Sequence, residues 1–277
     1  MKSGKIDIWQ GYAYAGEGTD GFRPTLETYV LDGERPRPLV LVCPGGGYHF
    51  VSPREAEPIA LQFNAAGFHS CVLDYSVAPR RHPQPLRDLS RAMCIAREHA
   101  AEWKVNADQI AVCGFSAGGH LAASLGVHWN KPYLANVPGI DVGLNRPDAL
   151  ILSYPVLTSG GFAHRGSFAN LLGEDPSKEL LEEMSLELQV TSETPPAFLW
   201  HTVNDEAVPV QNSLLFADAL RRSGVPFELH LYPRGPHGIS LATAETSRTP
   251  EEEDSHIGTW MTLCIEWLRM LFPTKSA

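Results

Sequence analysis

Residues 110–121 read Ile110-Ala111-Val112-Cys113-Gly114-Phe115-Ser116-Ala117-Gly118-Gly119-His120-Leu121, and the rest of the chain is arranged around them. An apolar run with β-branched residues at 110 and 112 predicts a buried strand. It leads without a spacer into a glycine-framed serine and then a helix-forming segment over 117–127. Glycines two places before and two after Ser116 remove the side chains that would collide where a strand and a helix pack closely. The pattern Gly114-x-Ser116-x-Gly118 is that of a nucleophile elbow, a turn so sharp that the serine hydroxyl stands free. A glycine-serine loop could carry the same letters; the strand before and the helix after set this one apart.

Working outward, the segments on both sides repeat one rhythm. Residues 38–43 are continuously apolar, as in a strand buried on both faces of a parallel sheet. They run into Pro44-Gly45-Gly46-Gly47-Tyr48, whose glycines leave backbone N–H groups open to a ligand or a developing negative charge. A helix over 54–66, a strand over 68–75 and a long helix over 86–104 follow, the last with Leu89, Met93, Ala96, Ala100 and Trp103 at helical spacing. Beyond the central stretch, 129–147 reads as a loop, 148–155 as a buried strand, and 156–194 as a polar excursion with a short helix near 177–184. A strand over 196–203, a helix over 210–223, a strand over 227–232 and a closing helix over 256–272 complete the chain. Upstream, 5–14 and 25–31 predict an antiparallel pair at the sheet edge. The sum is an α/β fold, with a mostly parallel central sheet, helices on both faces and a small insertion after the sixth strand. One domain over 1–277 is expected, with a substrate-covering insertion at about 156–194; a plain surface excursion is the alternative.

Composition bounds the function. The 277 residues are 43% hydrophobic and 19% charged, with a net charge of −10, so a large core is available and no basic stripe exists to meet nucleic-acid phosphates or an anionic membrane. No run approaches the roughly 18 apolar residues of a membrane span. No signal-peptide core is visible near the start, which makes cytoplasmic the expected location. The five cysteines are widely spaced within or beside apolar runs, as expected of reduced core residues rather than a disulfide framework or a metal site.

A serine hydroxyl needs a base to take its proton, and the base needs an anion to hold its tautomer. On such a sheet these follow in the order serine, acid, histidine, each at a strand end. Asp205 is the first acid after the strand at 196–203, with Glu206 as its competitor. His237, in Arg234-Gly235-Pro236-His237-Gly238, follows the last strand. Of the 11 histidines, His201 lies inside its strand and reads as a core or supporting residue. His120 is too close to Ser116 along the same helix, and His230 and His256 take no role.

These motifs, together with Asp205-x-x-Val208-Pro209 and Gly235-x-His237-Gly238, resemble the α/β-hydrolase superfamily. Within it they are most similar to the acetyl esterase/lipase branch, near bacterial acetylxylan and feruloyl esterase-like proteins. The similarity runs from about residue 39 to 271. Where the hormone-sensitive-lipase group has a histidine before the glycine triplet this chain has Pro44, which favours the sugar-esterase side and counts against lipase activity. The resemblance implies a triad of Ser116, Asp205 and His237, and an oxyanion hole from the N–H groups of Ala117, Gly46 and, as a further candidate, Gly47. It implies a serine carboxylesterase that removes small acyl groups, acetyl above all, from sugars or xylo-oligosaccharides, with no metal or organic cofactor. A serine peptidase or a general short-chain carboxylesterase of the same fold is the alternative. Tyr48 and Tyr154 are candidate substrate contacts, with His49, Phe162 and Phe168 as further aromatic candidates. The expected partner is a small acylated sugar, not nucleic acid or membrane; a homodimer is left open.

Overall fold

In the computed structural model, which describes residues 1–273, eight strands form one sheet: β1 (Lys2–Asp7), β2 (Thr25–Val30), β3 (Arg37–Cys43), β4 (His69–Asp74), β5 (Val105–Phe115), β6 (Ala149–Ser153), β7 (Ala197–Thr202) and β8 (Phe227–Tyr232). Their spatial order is β1-β2-β4-β3-β5-β6-β7-β8. β1 and β2 pair antiparallel, as do β2 and β4, and every later pair is parallel. The helices are α1 (Glu57–Ala65), α2 (Gln84–Glu98), α3 (Ala100–Trp103), α4 (Ala117–His128), α5 (Pro132–Ala135), α6 (Arg165–Leu172), α7 (Lys178–Glu183), α8 (Gln211–Arg222) and α9 (Thr259–Leu271).

Strand side chains alternate between faces, and here both faces are dry. Leu39, Leu41, Ile110, Val112, Leu150, Leu152 and Leu199 join the core under α2, α4 and α8. Their neighbours Val40, Val42, Ala111, Cys113, Ile151, Phe198 and Trp200 join the core under α1 and α9. That double burial is why these strands read as unbroken apolar runs. All five cysteines are free and buried in these layers. Among the described residues no helix is long and apolar enough to cross a membrane.

Several boundaries differ from expectation for identifiable reasons. The first strand is Lys2–Asp7 rather than 5–14: Ile8 and Trp9 leave the edge and are buried, with Trp9 Nε1 donating to Asp88 Oδ1 at 2.8 Å. The helix expected over 54–66 is a 3₁₀ turn, Pro53–Glu55, followed by α1. Pro58 has no N–H for the carbonyl of Arg54 and would clash with it; that carbonyl instead accepts from Ser240 Oγ at 2.8 Å. The long helix over 86–104 begins at Gln84 and breaks at His99, and Lys104 turns left-handed at φ 58°. The closing helix starts at Thr259. Within the excursion after β6, α6 was not expected, and the loop over 129–147 holds the short α5.

Candidate active site

Ser116 sits at the junction of β5 and α4 with φ 52° and ψ −117°, a backbone state that ordinary residues adopt only when their surroundings impose it. The imposition is visible in the glycines. A Cβ on Gly114 would stand 2.2 Å from the Gly118 carbonyl oxygen, and one on Gly118 would stand 2.1 Å from that of Cys43. Ser116 N donates to Ser153 O on β6 at 3.0 Å, which anchors the turn to the neighbouring strand. Its Oγ lies 2.8 Å from His237 Nε2.

His237 comes from the loop after β8, and its Nδ1 lies 2.6 Å from Asp205 Oδ2. Asp205, in the loop after β7, is buried. Its Oδ1 accepts from the N–H groups of Ala207 at 3.0 Å and Val208 at 2.9 Å. Burial works to raise this carboxyl's pKa, but the hydrogen bonds from His201 and His237 more than reverse it and hold the group well below the usual carboxylate range. His201 is fully buried. Its Nε2–H donates to Val208 O at 2.9 Å and stands 3.4 Å from Asp205 Oδ2, so it supports the acid. With Asp205 anionic, His237 carries its proton on Nδ1 and leaves Nε2 to accept from the serine. Side chains from positions 116, 205 and 237 thus meet at the C-terminal ends of β5, β7 and β8.

The glycine loop after β3 passes directly beside the serine: a Cβ on Gly45 would stand 3.1 Å from that of Ser116. Gly45 N donates to Glu55 Oε2 at 2.8 Å, whereas no described residue accepts from the N–H of Gly46 or Gly47. Gly46 has φ 128°, and a Cβ there would fall 2.0 Å from Phe50 O. Ala117 opens α4, where the first N–H groups have no partner within the helix. The three N–H groups expected to act as donors thus lie on the two segments that meet at Ser116, the glycine loop and the first turn of α4.

The two tyrosines expected at the substrate are turned inward instead. Tyr48 and Tyr154 are both buried, at φ 56° and 35°. Tyr48 Oη bonds His120 Nδ1 at 2.9 Å, and Tyr154 Oη donates to Glu55 Oε1 at 2.7 Å. Each hydroxyl is already committed within the protein, so neither is offered to a ligand. Phe168 is buried too, while Phe162 is 43% exposed.

Residues 28–145 match the BD-FAE family. Over nearly its whole length the chain superimposes on the acetyl ester-xyloside bifunctional hydrolase of Caldicellulosiruptor lactoaceticus, with TM-score 0.86 and 38% identity, covering 97% of this chain and 96% of that one. The chain belongs to the esterase branch of the α/β-hydrolases. The chain is also 40% identical over 254 residues to endo-1,4-beta-xylanase B of Butyrivibrio fibrisolvens, covering 88% of this chain and 39% of that protein. It is 31% identical over 231 residues to the acetylxylan esterase of Xylanibacter ruminicola, covering 81% and 45% respectively. It therefore spans less than half the length of these curated relatives.

The chain's segment between β6 and β7 is tied to both sides of the site. Asn212 on α8 donates through Nδ2 to Phe162 O at 2.9 Å, and its Oδ1 accepts from Leu157 N at 2.8 Å and Thr158 N at 3.0 Å. At the other end Asn170 Nδ2 donates to Gly47 O at 2.8 Å. His164, which caps α6, accepts at Nδ1 from Ser167 N at 3.3 Å, so its neutral ring carries the proton on Nε2. Burial, then the charge of His237, lowers its pKa, with Asp205 opposing. Sequence reasoning passed over Glu55, His164 and Asn170, because each is defined by contacts with distant segments and none lies in a recognisable pattern. A cleft of about 820 Å³ is lined by His237 together with Arg234, Arg248 and Glu251; Ser116 and the glycine loop do not line it. Among the described residues no group of three or more His, Cys, Asp or Glu side chains is arranged to hold a metal ion.

Proposed function

We propose that this chain is a serine carboxylesterase that releases small acyl groups, acetyl above all, from sugars or xylo-oligosaccharides through an acyl-enzyme. Ser116 Oγ attacks the ester carbonyl as its proton passes to His237 Nε2, and Asp205 stabilises the resulting imidazolium. The N–H groups of Ala117, Gly46 and Gly47 receive the negative charge on the carbonyl oxygen. As the ester C–O bond breaks, His237 gives its proton to the departing sugar oxygen, the acyl group stays on Ser116 Oγ, and the cycle repeats with water as the nucleophile. The observation that carries the reading is the continuous hydrogen-bonded line from Ser116 Oγ through His237 to Asp205. The acetyl and sugar assignment draws on the acetyl ester-xyloside hydrolase and the acetylxylan esterase among the relatives.

Substrate panels separate this reading from its neighbours. Acetate release from acetylated xylo-oligosaccharides should exceed that from p-nitrophenyl acetate in kcat/KM, and p-nitrophenyl acetate should exceed butyrate and longer esters. Equal turnover of all short esters with no preference for the sugar would make the chain a general short-chain carboxylesterase. Faster cleavage of aminoacyl-anilides than of esters would make it a peptidase. Ser116→Ala should abolish both turnover and fluorophosphonate labelling; retention of either removes the serine mechanism.

A further inference from the structure

The site holds a second buried carboxylate that the steps above leave unused. Glu55 ends the 3₁₀ turn after the glycine loop and is 4% exposed. Its Oε2 accepts from Gly45 N at 2.8 Å and its Oε1 from Tyr154 Oη at 2.7 Å. Tyr154 Oη accepts in turn from Ser240 N at 3.0 Å, and its ring packs edge-on against His237 with centroids 5.2 Å apart. Ser240 Oγ donates to Arg54 O, next door to Glu55. A Cβ on Gly238 would stand 4.0 Å from Glu55 Oε1. One carboxylate therefore joins the loop that carries the oxyanion N–H groups, the end of β6 and the loop that carries the histidine.

Both oxygens of Glu55 accept from donors, an arrangement that suits a carboxylate, and among the described residues no cation pairs with it. Arg54 turns away: its Nε donates to Thr246 O, and its guanidinium pairs with Glu252 at 3.3 Å. A buried negative charge without a salt bridge is costly to keep for packing alone. We propose that Glu55 is a positioning residue that locks the glycine loop and the His237 loop into one register. Its charge acts beside that of Asp205 on the imidazolium formed during turnover. This rests on the triad reading given above.

The other ionisable groups around Glu55 keep their state through the neutral range. Burial pushes Tyr154, Tyr75 and Cys113 far up, Arg54 stays cationic, and Asp205 stays anionic. Burial also holds His164, which faces His237, toward its neutral form, so the charge removed at position 55 is read against a fixed background.

The full chain would be assayed on p-nitrophenyl acetate from about pH 5 to 9, with rates expressed per fluorophosphonate-labelled site so that misfolded protein does not count. Glu55→Gln keeps an acceptor for Gly45 and removes the charge. It should lower kcat by about tenfold or more with KM changed less than about threefold. It should also move the acid limb of kcat/KM down by roughly half a pH unit. Glu55→Asp keeps the charge but not the reach, so its kcat should fall while the limb stays. Tyr154→Phe should likewise leave the limb in place. Wild-type kcat and limb in Glu55→Gln would overturn the proposal, and so would a loss confined to the labelled fraction with normal turnover per site. If Ser116→Ala retains activity, it is the underlying triad reading that fails.

Discussion

At the scale of single residues, the acid of the site offers a substitution whose outcome follows from hydrogen-bond direction alone. Asp205 Oδ1 is held by two backbone N–H groups and Oδ2 by the His237 ring. In Asp205→Asn the backbone donors fix the amide oxygen at the Oδ1 position, which turns the NH₂ toward His237. Nδ1 must then accept, the ring proton moves to Nε2, and the serine loses its base. The shape of the site survives while kcat should fall by about 10³- to 10⁴-fold; a loss under tenfold, with the melting curve unchanged, would show that this carboxylate does not set the tautomer. Ser116, Asp205 and His237 were legible because each sits where an apolar run gives way to a glycine- or acid-bearing turn. Glu55 was not, because its meaning lies in Tyr154, 99 residues away. Tyr48 and Tyr154 were misread because an aromatic at a strand end does not announce its backbone state. Here φ of 56° and 35° accompanies side chains turned into the interior.

At the scale of elements, α6 (Arg165–Leu172) is the piece whose placement matters most and whose sequence, RGSFANLL, says least. It opens with a glycine at its second position, lacks an acidic first turn, and buries only Ser167, Phe168, Leu171 and Leu172. The parallel strands, buried on both faces, gave the opposite case: their apolar runs can be read without knowing their neighbours. Beyond the buried side chains of α6, the Asn170 bond to Gly47 O ties the helix to the glycine loop, at the peptide beside two of the proposed oxyanion donors. Asn170→Ala removes one half-buried side-chain hydrogen bond, worth about 1 kcal/mol to stability, so the fold should persist. Catalysis tolerates misplacement far less, and kcat should drop by about tenfold on p-nitrophenyl acetate and on acetylated xylo-oligosaccharide alike. A variant with wild-type kcat would mean that the glycine loop holds its shape without the helix.

At the scale of the whole molecule, the segment between β6 and β7 rests on two buried imidazoles as well as on the apolar core, with a third, half-buried, close by. His120 Nε2 donates to Met184 O and His128 Nε2 to Glu183 O, each at 3.0 Å, while His82 packs edge-on against Tyr133 at 5.0 Å. Burial lowers the pKa of all three to about 4, aided by the nearby charges of His128 on His82 and His120, and of Lys131 on His128. In the unfolded chain they titrate near 6.5. Between those values the unfolded chain binds more protons than the folded one, so stability is full above about pH 6.5 and drains away as pH falls toward 4. Asp88 works in the other sense: burial lifts it to about 6, so the folded chain takes up its proton first. Raised carboxyls at Asp74 and Asp148 add to that opposition. From these three histidines and Asp88 alone the net uptake on unfolding is about two protons, or on the order of 3 kcal/mol per pH unit. Melting temperature should fall by roughly 5 °C per unit between about pH 6 and 4.5, and it should change little between about pH 7 and 8. Replacing His82 and His128 together by glutamine, which retains a donor for Glu183 O, removes two of the three titrating rings and should flatten the curve over that window. If the double variant melts with the wild-type dependence on pH, the acid sensitivity arises from carboxylates elsewhere and these histidines do not control it.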